Sequence, residues 1–398
     1  MNAHASKGFK SGTHRLVSPS ETLARVQPYM PRMGITRLAN VTGLDIIGIP
    51  VVMACRPNSR ILSVSQGKGL TLDAAKVSAV MESVETYCAE RILLPLKFAS
   101  YCEMRMSHCV VDVGELPRAE DSRFHESLPL LWIEGDDWLQ GERVWVPYQM
   151  VHTAYTADLA FDLNSFNAST TGLASGNHVL EAASHGICEV IERDASVKWS
   201  RLKEAEQEER QLDLQSVDDM DCRGVLGRYE DAGIAVGVWD ITSAVGLAAF
   251  HCTIVEKEDN PLRRIYAAEG SGCHPVRQIA LLRALTEAAQ SRLTAISGAR
   301  DDMYRHHYVS TRDPEVLKLH RRRTSRKGLR KFSAVPTFES DSFQEDIAWE
   351  LEGLRRAGLD RVVVIDLSLS EFDLAVTRVV IPGMDVPDSA NAGLEPVP

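Results

Sequence analysis

The sequence lacks the long apolar segments of secreted and membrane-spanning chains. No apolar run approaches the roughly 18 residues that a membrane-spanning helix needs, and no short apolar stretch near the N terminus indicates a signal peptide. We therefore expect a soluble, cytoplasmic protein with no membrane partner. With 398 residues, 44% of them apolar, the chain is long enough to bury one large core or two ordinary ones.

Paired cysteines, positive charge and the common phosphate-binding motifs are also missing. The eight cysteines include no C-x-x-C pair, which is typical of a reduced cytosolic chain and argues against a zinc site or a disulfide framework. The net charge of −11 argues against a general nucleic-acid binder. Neither G-x-x-x-x-G-K-[ST] nor the H-R-D and D-F-G motifs of kinases occur. Any nucleotide site must therefore be of another kind.

Three stretches predict helices that carry a narrow polar stripe on an otherwise apolar surface. They cover about Leu72–Arg91, the residues after Asn177, and about Val276–Ile296. In the first and third helices the polar residues recur at i, i+4 and i+7. The polar positions are Ser78, Glu82 and Glu85 in the first helix, Glu181, Glu189, Glu192 and Arg193 in the second, and Arg283, Glu287 and Gln290 in the third.

A glycine-containing segment precedes each of these helices. The segments are SQGKG at 65–69, TGLASG at 171–176 and GSGCHP at 270–275. We interpret them as loops that bring backbone amides, and in one case the charge of Lys68, to a helix N terminus. The helices lie about 100 residues apart, which is too far for a solenoid repeat and favours one site built from distant segments.

The residues alone leave two interpretations open. Each stripe is either the solvated edge of an ordinary helix or one wall of a shared cavity. In a shared cavity the carboxylates would repel one another and raise their pKa values. Oxygen ligands without Cys or His favour Mg²⁺, which carboxylates share with nucleotide phosphates, and such a site performs phosphoryl transfer. Lys68, Arg193 and Arg283 would balance the phosphate charge.

Three ordered segments carry a resemblance to a known family. They are SQGKGLTLDAAKVSAVMESVE, STTGLASGNHVLEAASHGICEVIERDA and GSGCHPVRQIALLRALTEAAQSR. With the RVVVIDLS…RVVIPGM ending, they resemble the nucleotide-binding signatures of the YcaO family, ATP-dependent enzymes that activate peptide backbone amides. The resemblance covers about residues 10–385. The third segment and the adjoining ISGARDDM are most similar to YcaO proteins that work with a TfuA partner.

The resemblance implies a mixed α/β fold in which helices pack on mixed β-sheets, with the ATP site between them, and a homodimer. We expect a mobile N-terminal segment over residues 1–20, a catalytic domain over 21–385 and a flexible tail over 386–398. The tail ends in Pro396-Val397-Pro398. This is a fragment of the PxPxP ending that enters the active site in heterocycle-forming relatives, and a disordered tail is the alternative.

The resemblance also implies roles for single residues, with ATP and Mg²⁺ as cofactors. The Mg²⁺ ligands would be Glu82, Glu85, Glu189, Glu192 and Glu287. The nucleotide would be contacted by Ser78, Asn177 and Arg283, by Lys68, and from the N-terminal segment by Arg15 and Thr22. Ribose or phosphate would be bound by Glu181 and Arg193, and Gln290 would support the contacts of the third helix. Catalysis would depend on Glu82, Glu189, Glu287 and Arg193.

The implied reaction modifies a precursor peptide or protein. A nucleophile adds to an amide carbonyl, ATP phosphorylates the resulting oxyanion, and phosphate departs. With external sulfide, supplied through a TfuA-type partner, the product is a thioamide, and with a Cys, Ser or Thr side chain it is an azoline. We favour the thioamide.

A hypothesis of another class is a non-catalytic scaffold that binds a precursor peptide. It would use the basic residues between 312 and 331, around HRRRTSRKG. We interpret this run as an exposed flexible loop, and the alternative is a docking surface for an acidic partner or leader peptide.

Overall fold

The computed structural model describes residues 5–155, 164–259, 265, 267–302 and 313–386. This part of the chain contains both helices and strands, which confirms the predicted mixed α/β class. The helices are α1 Pro19–Val26, α2 Met30–Met33, α3 Leu72–Ala89, α4 Tyr101–Ser107, α5 Val179–Ser200, α6 Glu204–Glu209, α7 Met220–Asp231, α8 Arg277–Ser297, α9 Pro314–Thr324 and α10 Phe343–Arg356. The strands are β1 Arg37–Asn40, β2 Val51–Cys55, β3 Val64–Lys68, β4 Leu96–Ser100, β5 Pro129–Asp137, β6 Glu142–Pro147, β7 Leu173–Gly176, β8 Ile234–Asp240, β9 Ala248–Glu256, β10 Ala268–His274, β11 Val363–Asp366 and β12 Ala375–Val380.

These strands form three sheets. Two have three strands, in the orders β1-β2-β3 and β10-β9-β8, and the third has the order β4-β5-β11-β12-β7 with β6 paired to β5. Every pairing between the named strands is antiparallel, whereas mixed sheets were expected. Strands β3, β7 and β10 each form one edge of their sheet. No described helix combines the length and the apolar character needed to cross a bilayer.

The three predicted helices are α3, α5 and α8, and each follows an edge strand and packs on it. The glycine segments were predicted to be loops, and the structure shows that most of their residues belong to β3, β7 and β10. Their glycines allow the helix backbone to lie directly against the strand. A Cβ added to Gly67 would lie 2.0 Å from the backbone nitrogen of Ala79, and one added to Gly270 would lie 2.3 Å from that of Ala288. Close approach, rather than loop flexibility, explains these glycines.

The three strand–helix units form a ring. Helix α3 also contacts β7, α5 also contacts β10, and α8 also contacts β3. Each helix therefore packs on its own edge strand and on the edge strand of the next unit. Because the last contact returns to the first unit, the polar stripes of the helices face a common centre.

The N-terminal segment, predicted to be mobile over residues 1–20, is anchored from residue 5 onwards. Ala5 is buried, and the Lys7 ammonium lies 2.6 Å from the Asp346 carboxylate of α10, with both side chains inaccessible to solvent. The composition of the segment is polar, so the prediction missed a partner that lies more than 300 residues away along the chain.

The basic residues near the C-terminal end of α9 are paired within the chain. Arg322 donates to Glu204 at 2.6 Å, Arg330 to Asp240 at 3.0 Å and Lys331 to Asp213 at 2.7 Å. The prediction of an exposed flexible loop is wrong for residues 314–324, which form a helix. Much of the charge that a docking surface would need is already neutralised by acidic residues of this chain.

The glycine contact between β3 and α3 can be tested with a matched pair of substitutions. We expect Gly67→Ala to lower the free energy of unfolding by about 1–3 kcal/mol or more, because the added Cβ must push the two elements apart. Gly224→Ala, in α7 with open space around it, should instead raise it by up to about 1 kcal/mol through helix propensity. Urea unfolding measures both changes. Equal effects of the two substitutions would contradict the packing explanation.

Candidate functional site

Two of the predicted metal ligands lie three residues apart in helix α3, and each forms a hydrogen bond to a different strand. The Glu82 carboxylate accepts a hydrogen bond from the backbone N–H of Gln66 in β3 at 3.0 Å. The Glu85 carboxylate accepts one from the Ser175 hydroxyl in β7 at 2.7 Å. Helix α3 is thus tied through its carboxylates to its own unit and to the next. Ser78 lies one turn before Glu82 and is half-buried.

Helix α5 repeats this arrangement one unit further round the ring. Glu189 accepts from the backbone N–H of Gly172, directly before β7, at 3.3 Å. Glu192 accepts from the backbone N–H of Cys273 in β10 at 3.0 Å. The outward N–H groups of the edge strands therefore bind carboxylates instead of another strand.

Helix α8 closes the ring with Glu287 and Gln290. The Glu287 carboxylate accepts a hydrogen bond from the Lys68 ammonium of β3 at 2.5 Å. The Gln290 amide donates to the backbone carbonyl of Gln66 at 3.3 Å. The three stripes thus converge on one region, and the interpretation as separate solvated helix edges does not hold.

Burial raises the pKa of most of these carboxyl groups. Desolvation raises the pKa of Glu82 and of Glu192 to about 7, although a backbone hydrogen bond opposes it at Glu82 and the Arg193 charge opposes it at Glu192. The pKa of Glu85 lies well above its ordinary value and that of Glu189 is also raised, in both cases mainly through burial. The site therefore lacks the positive charge needed to keep these groups ionised.

Glu287 differs from the other four. Burial alone would raise its pKa, but the charges of Lys68 and Arg193 outweigh burial and bring the pKa below its ordinary value. Arg193 lies 3.8 Å from the carboxylates of both Glu189 and Glu192. Burial opposes the charge of Arg193, yet the surrounding carboxylates hold its pKa above the ordinary value. The charges of Arg300 and Arg378 also act on Glu82 and Glu189, but burial outweighs them there.

The N-terminal segment, with the predicted nucleotide contacts Arg15 and Thr22, lies against the beginning of α5. The Asn177 amide donates to the Thr22 hydroxyl at 3.0 Å. The Glu181 carboxylate accepts from the backbone N–H of Leu16 at 3.0 Å and lies 3.8 Å from the Arg15 guanidinium. The structure therefore brings these four predicted residues together at one end of the site.

A group of histidines near Arg283 was missed by the sequence interpretation. His14 and His274 contact edge to face, with ring centroids 5.4 Å apart, and the Arg283 guanidinium donates to the backbone carbonyl of Cys273 at 2.9 Å. Burial, reinforced by nearby cations, lowers the pKa of His14 to about 3 and holds those of His185 and His274 well below the ordinary value. His185 was detectable, because it lies four residues from both Glu181 and Glu189 on the same stripe.

The donor set fits Mg²⁺ in chemistry, although no three acidic, His or Cys side chains of the described residues are already gathered close enough to bind a metal ion. The reason is that the carboxylates turn towards the strand amides, Ser175 or Lys68. Oxygen-only donors with burial-raised pKa values are suited to a hard divalent cation, which would compensate the missing positive charge. Binding would require these side chains to turn towards the centre of the ring.

Comparison with known proteins gives three kinds of match. A family model described as "YcaO cyclodehydratase, ATP- and Mg²⁺-binding" matches residues 66–385. An uncharacterized protein in the tfuA 3′ region of Rhizobium leguminosarum bv. trifolii is 35% identical over 96% of this chain and 91% of its own length. An uncharacterized protein of Methanothermobacter thermautotrophicus is 33% identical over 93% of this chain and 94% of its own length.

Two solved structures share the fold. The YcaO protein of Methanopyrus kandleri, bound with AMPPCP and Mg²⁺, superposes with a TM-score of 0.76 at 23% identity and covers 99% of both chains. A heterocyclase in complex with substrate and cofactor superposes with a TM-score of 0.80 at 20% identity over 97% of this chain. This chain spans 54% of that heterocyclase. At these identities the likeness concerns the fold.

The raised pKa values predict how the metal-free protein responds to pH. Glu82 and Glu192 keep their protons up to about pH 7 when folded, whereas in the unfolded chain they lose them near the ordinary value of 4.5. Their contribution to stability should therefore fall as the pH rises from about 4.5 to about 7. Thermal unfolding in EDTA across this pH window measures the change of stability with pH. Glu82→Gln should reduce the slope of unfolding temperature against pH.

The control is Glu352→Gln in α10, whose side chain is 52% exposed and which should leave the slope unchanged. Mg²⁺ together with a non-hydrolysable ATP analogue should reduce the slope in the wild-type protein. An identical slope in wild type and Glu82→Gln would contradict the assignment of a raised pKa to this carboxyl group.

Proposed function

The chain belongs to the YcaO family, and from that premise we propose that it uses ATP and Mg²⁺ to phosphorylate backbone amide oxygens of a ribosomally made peptide or protein. The observation that carries the proposal is the ring of α3, α5 and α8, which gathers five glutamates, four of them with pKa values raised by burial. Such a site gains stability by binding divalent cations together with nucleotide phosphates. The side chains of such a site can position the reacting groups and neutralise charge, and phosphoryl transfer requires little more than this from the protein.

The residues divide into those that hold the metal and those that hold the nucleotide. Mg²⁺ would be held by Glu82, Glu85, Glu189, Glu192 and Glu287, and when bound it neutralises phosphate charge. At the other end of the site, Thr22 and Asn177 form a hydrogen-bonded pair beside Glu181 and Arg15. Hydrogen-bond donors and acceptors at this end of the site suit the sugar of a nucleotide. Ser78, Arg283 and Gln290 lie on the walls between the two ends.

The reaction proceeds through an oxyanion. A nucleophile adds to the amide carbonyl carbon, and the carbonyl oxygen takes the negative charge. This oxygen attacks the terminal phosphorus of ATP and ADP leaves. The carbon–oxygen bond then breaks, and the oxygen departs within inorganic phosphate. Lys68 and Arg193, both beside the carboxylates, would stabilise the phosphoryl oxygens as charge moves towards ADP.

We propose that the product is a thioamide and that a TfuA-type partner takes part in sulfide delivery. The support is the relative encoded in a tfuA 3′ region, which is similar over nearly the whole chain. The azoline alternative is supported by the shared fold of the heterocyclase. The scaffold alternative is disfavoured, because the five glutamates that would bind Mg²⁺ are gathered in the ring and Arg322, Arg330 and Lys331 are already paired with carboxylates of this chain. A cytoplasmic homodimer stays a prediction, and the Pro396-Val397-Pro398 tail lies outside the described residues.

Substitution of single carboxylates tests the metal site. We expect Glu82→Gln, Glu189→Gln and Glu287→Gln each to lower ATP turnover at least about 100-fold, because each removes a ligand that neutralises phosphate charge. Thermal stability of the metal-free protein should stay the same or rise for Glu82→Gln and Glu189→Gln, because burial already penalises these charges. Phosphate release with a peptide substrate measures the first effect. Retained turnover in all three variants, with Glu352→Gln as control, would refute the site.

The mass of the product tests the chemistry. The chain should be co-expressed with its precursor peptide, with and without the TfuA partner, and the peptide weighed by mass spectrometry. Replacement of one oxygen by sulfur, dependent on the partner, is the expected result, because external sulfide needs a delivery route to the activated amide. Loss of one water without any partner would instead establish the azoline alternative.

A further inference from the structure

One buried arginine has no role in the site described so far. Arg378, in β12, is 1% exposed. Its Nη2 donates to the backbone carbonyl of Ser169 at 2.7 Å, while Nε and Nη1 have no hydrogen-bond partner in the described part of the chain. A buried cation that bonds to a single neutral carbonyl is costly, because the lost hydration is hardly replaced. A bound anion would compensate this unpaired positive charge.

The other deeply buried arginines are held by carboxylates. Arg56 lies 2.6 Å from Glu90, and Arg292 lies 2.9 Å from Asp45 and 3.1 Å from Glu256. These pairs explain why the two arginines are stable inside the protein. Arg378 forms no ion pair of this kind with a described residue. Within the described part of the chain, its charge is thus available for a further anion.

Strand register places Arg378 at the metal-binding end of the site. Arg378 is opposite Leu173 in β7, and the adjoining Val379 donates to the carbonyl of Gly172 at 2.8 Å. Gly172 is the residue whose N–H binds Glu189. The opposite end of the same strand pair, at Gly176, lies against Glu181. Arg378 is therefore about 10 Å along the strands from the end that suits the sugar.

The strand also orients Arg378 towards α3. Side chains alternate along β12, and Val376 and Val380 on either side of Arg378 pack in the core that contains Val80 and Val84 of α3. Val379 faces the opposite way, into the core formed with α5. Burial lowers the pKa of Arg378, whereas Tyr155 and the Glu189 charge raise it, so Arg378 is close enough to Glu189 for their charges to interact. Arg378 thus lies on the α3 side of the sheet, next to the ring of carboxylates.

We propose that Arg378 binds the phosphoryl group that is transferred from ATP to the amide oxygen. The inference rests on the proposed function and adds a residue to it. The terminal phosphoryl oxygens carry negative charge before, during and after transfer, and they accept hydrogen bonds of the strength that N–H groups of a guanidinium offer. In the step itself the bond between phosphorus and the bridging oxygen of ADP breaks as the bond to the amide oxygen forms. Arg378 stabilises the oxygens of the moving group.

The test compares nucleotides that have and lack this group. Calorimetry should measure Mg²⁺ with a non-hydrolysable ATP analogue, and Mg²⁺ with ADP, on wild type, Arg378→Met and Arg378→Lys. We expect Arg378→Met to weaken binding of the ATP analogue by about 10- to 100-fold, because hydrogen bonds to a charged group are lost. The affinity for ADP should not change. Arg378→Lys should recover part of the loss. Without ligand, Arg378→Met should unfold at the same temperature as wild type or higher.

A matched control is available on the same strand. Thr377 is fully buried, and its hydroxyl also has no partner among the described residues, but it points to the opposite face of β12. Thr377→Val should leave the preference for the ATP analogue over ADP unchanged. If it changes that preference as Arg378→Met does, the effect belongs to the strand and the inference is wrong.

The remaining outcomes separate this inference from the proposed function. If wild type binds neither nucleotide, the proposed function fails and the inference falls with it. If wild type binds both and Arg378→Met keeps the same preference, only the inference fails. Equal loss of both affinities together with a lower unfolding temperature would show that Arg378 has a structural role, which also overturns the inference.

Discussion

The constraint on which this structure depends is the gathering of five carboxyl groups, one buried and four half-buried, around one centre. The fold meets it with hydrogen bonds: Glu82, Glu189 and Glu192 each accept from an N–H at or beside an edge strand, and Glu287 accepts from the Lys68 ammonium. Burial still dominates at four of the groups and raises their pKa values. Hydrogen bonds hold the side chains in place, and the unbalanced charge prepares the centre for a divalent cation with a nucleotide.

The same contacts explain the ring. An edge strand has outward N–H and C=O groups that would otherwise be open to another strand. At β3 and β10 such groups bind side chains from two helices, one in the same unit and one in the neighbouring unit. At β7 the corresponding contacts are made by the N–H of Gly172, directly before the strand, and by the Ser175 hydroxyl. Glycines at the contact, such as Gly67 and Gly270, bring the helices close enough for short side chains to reach. Packing and site formation are therefore parts of one arrangement.

The two ends of the site differ in charge and in origin. The metal-binding end is built from the ring itself and has Arg378 behind it in β12. The other end is completed by residues 5–22, which are held over α5 and α10 by the Lys7–Asp346 pair and by the bonds from Leu16 and Thr22. A nucleotide lying between the ends would meet neutral histidines and Arg283 along its length. This polarity supports transfer at the carboxylate end and recognition at the N-terminal end.

Helix positions and the choice of site residues were determined by the sequence alone, because they rest on local information. The i, i+4, i+7 spacing of Ser78, Glu82 and Glu85 and of Arg283, Glu287 and Gln290 predicts one face of a helix, and three ordered signatures indicated the family. Tertiary structure decided what depends on distant partners. It made strands of the glycine segments, because helices pack on them, and it closed the ring through Gln290 and Gln66, which lie 224 residues apart. It also anchored residues 5–17, paired Arg322, Arg330 and Lys331 with carboxylates, and left Arg378 buried with no carboxylate partner among the described residues. None of these features can be read from residue type or spacing, because each is set by which groups meet when the chain folds.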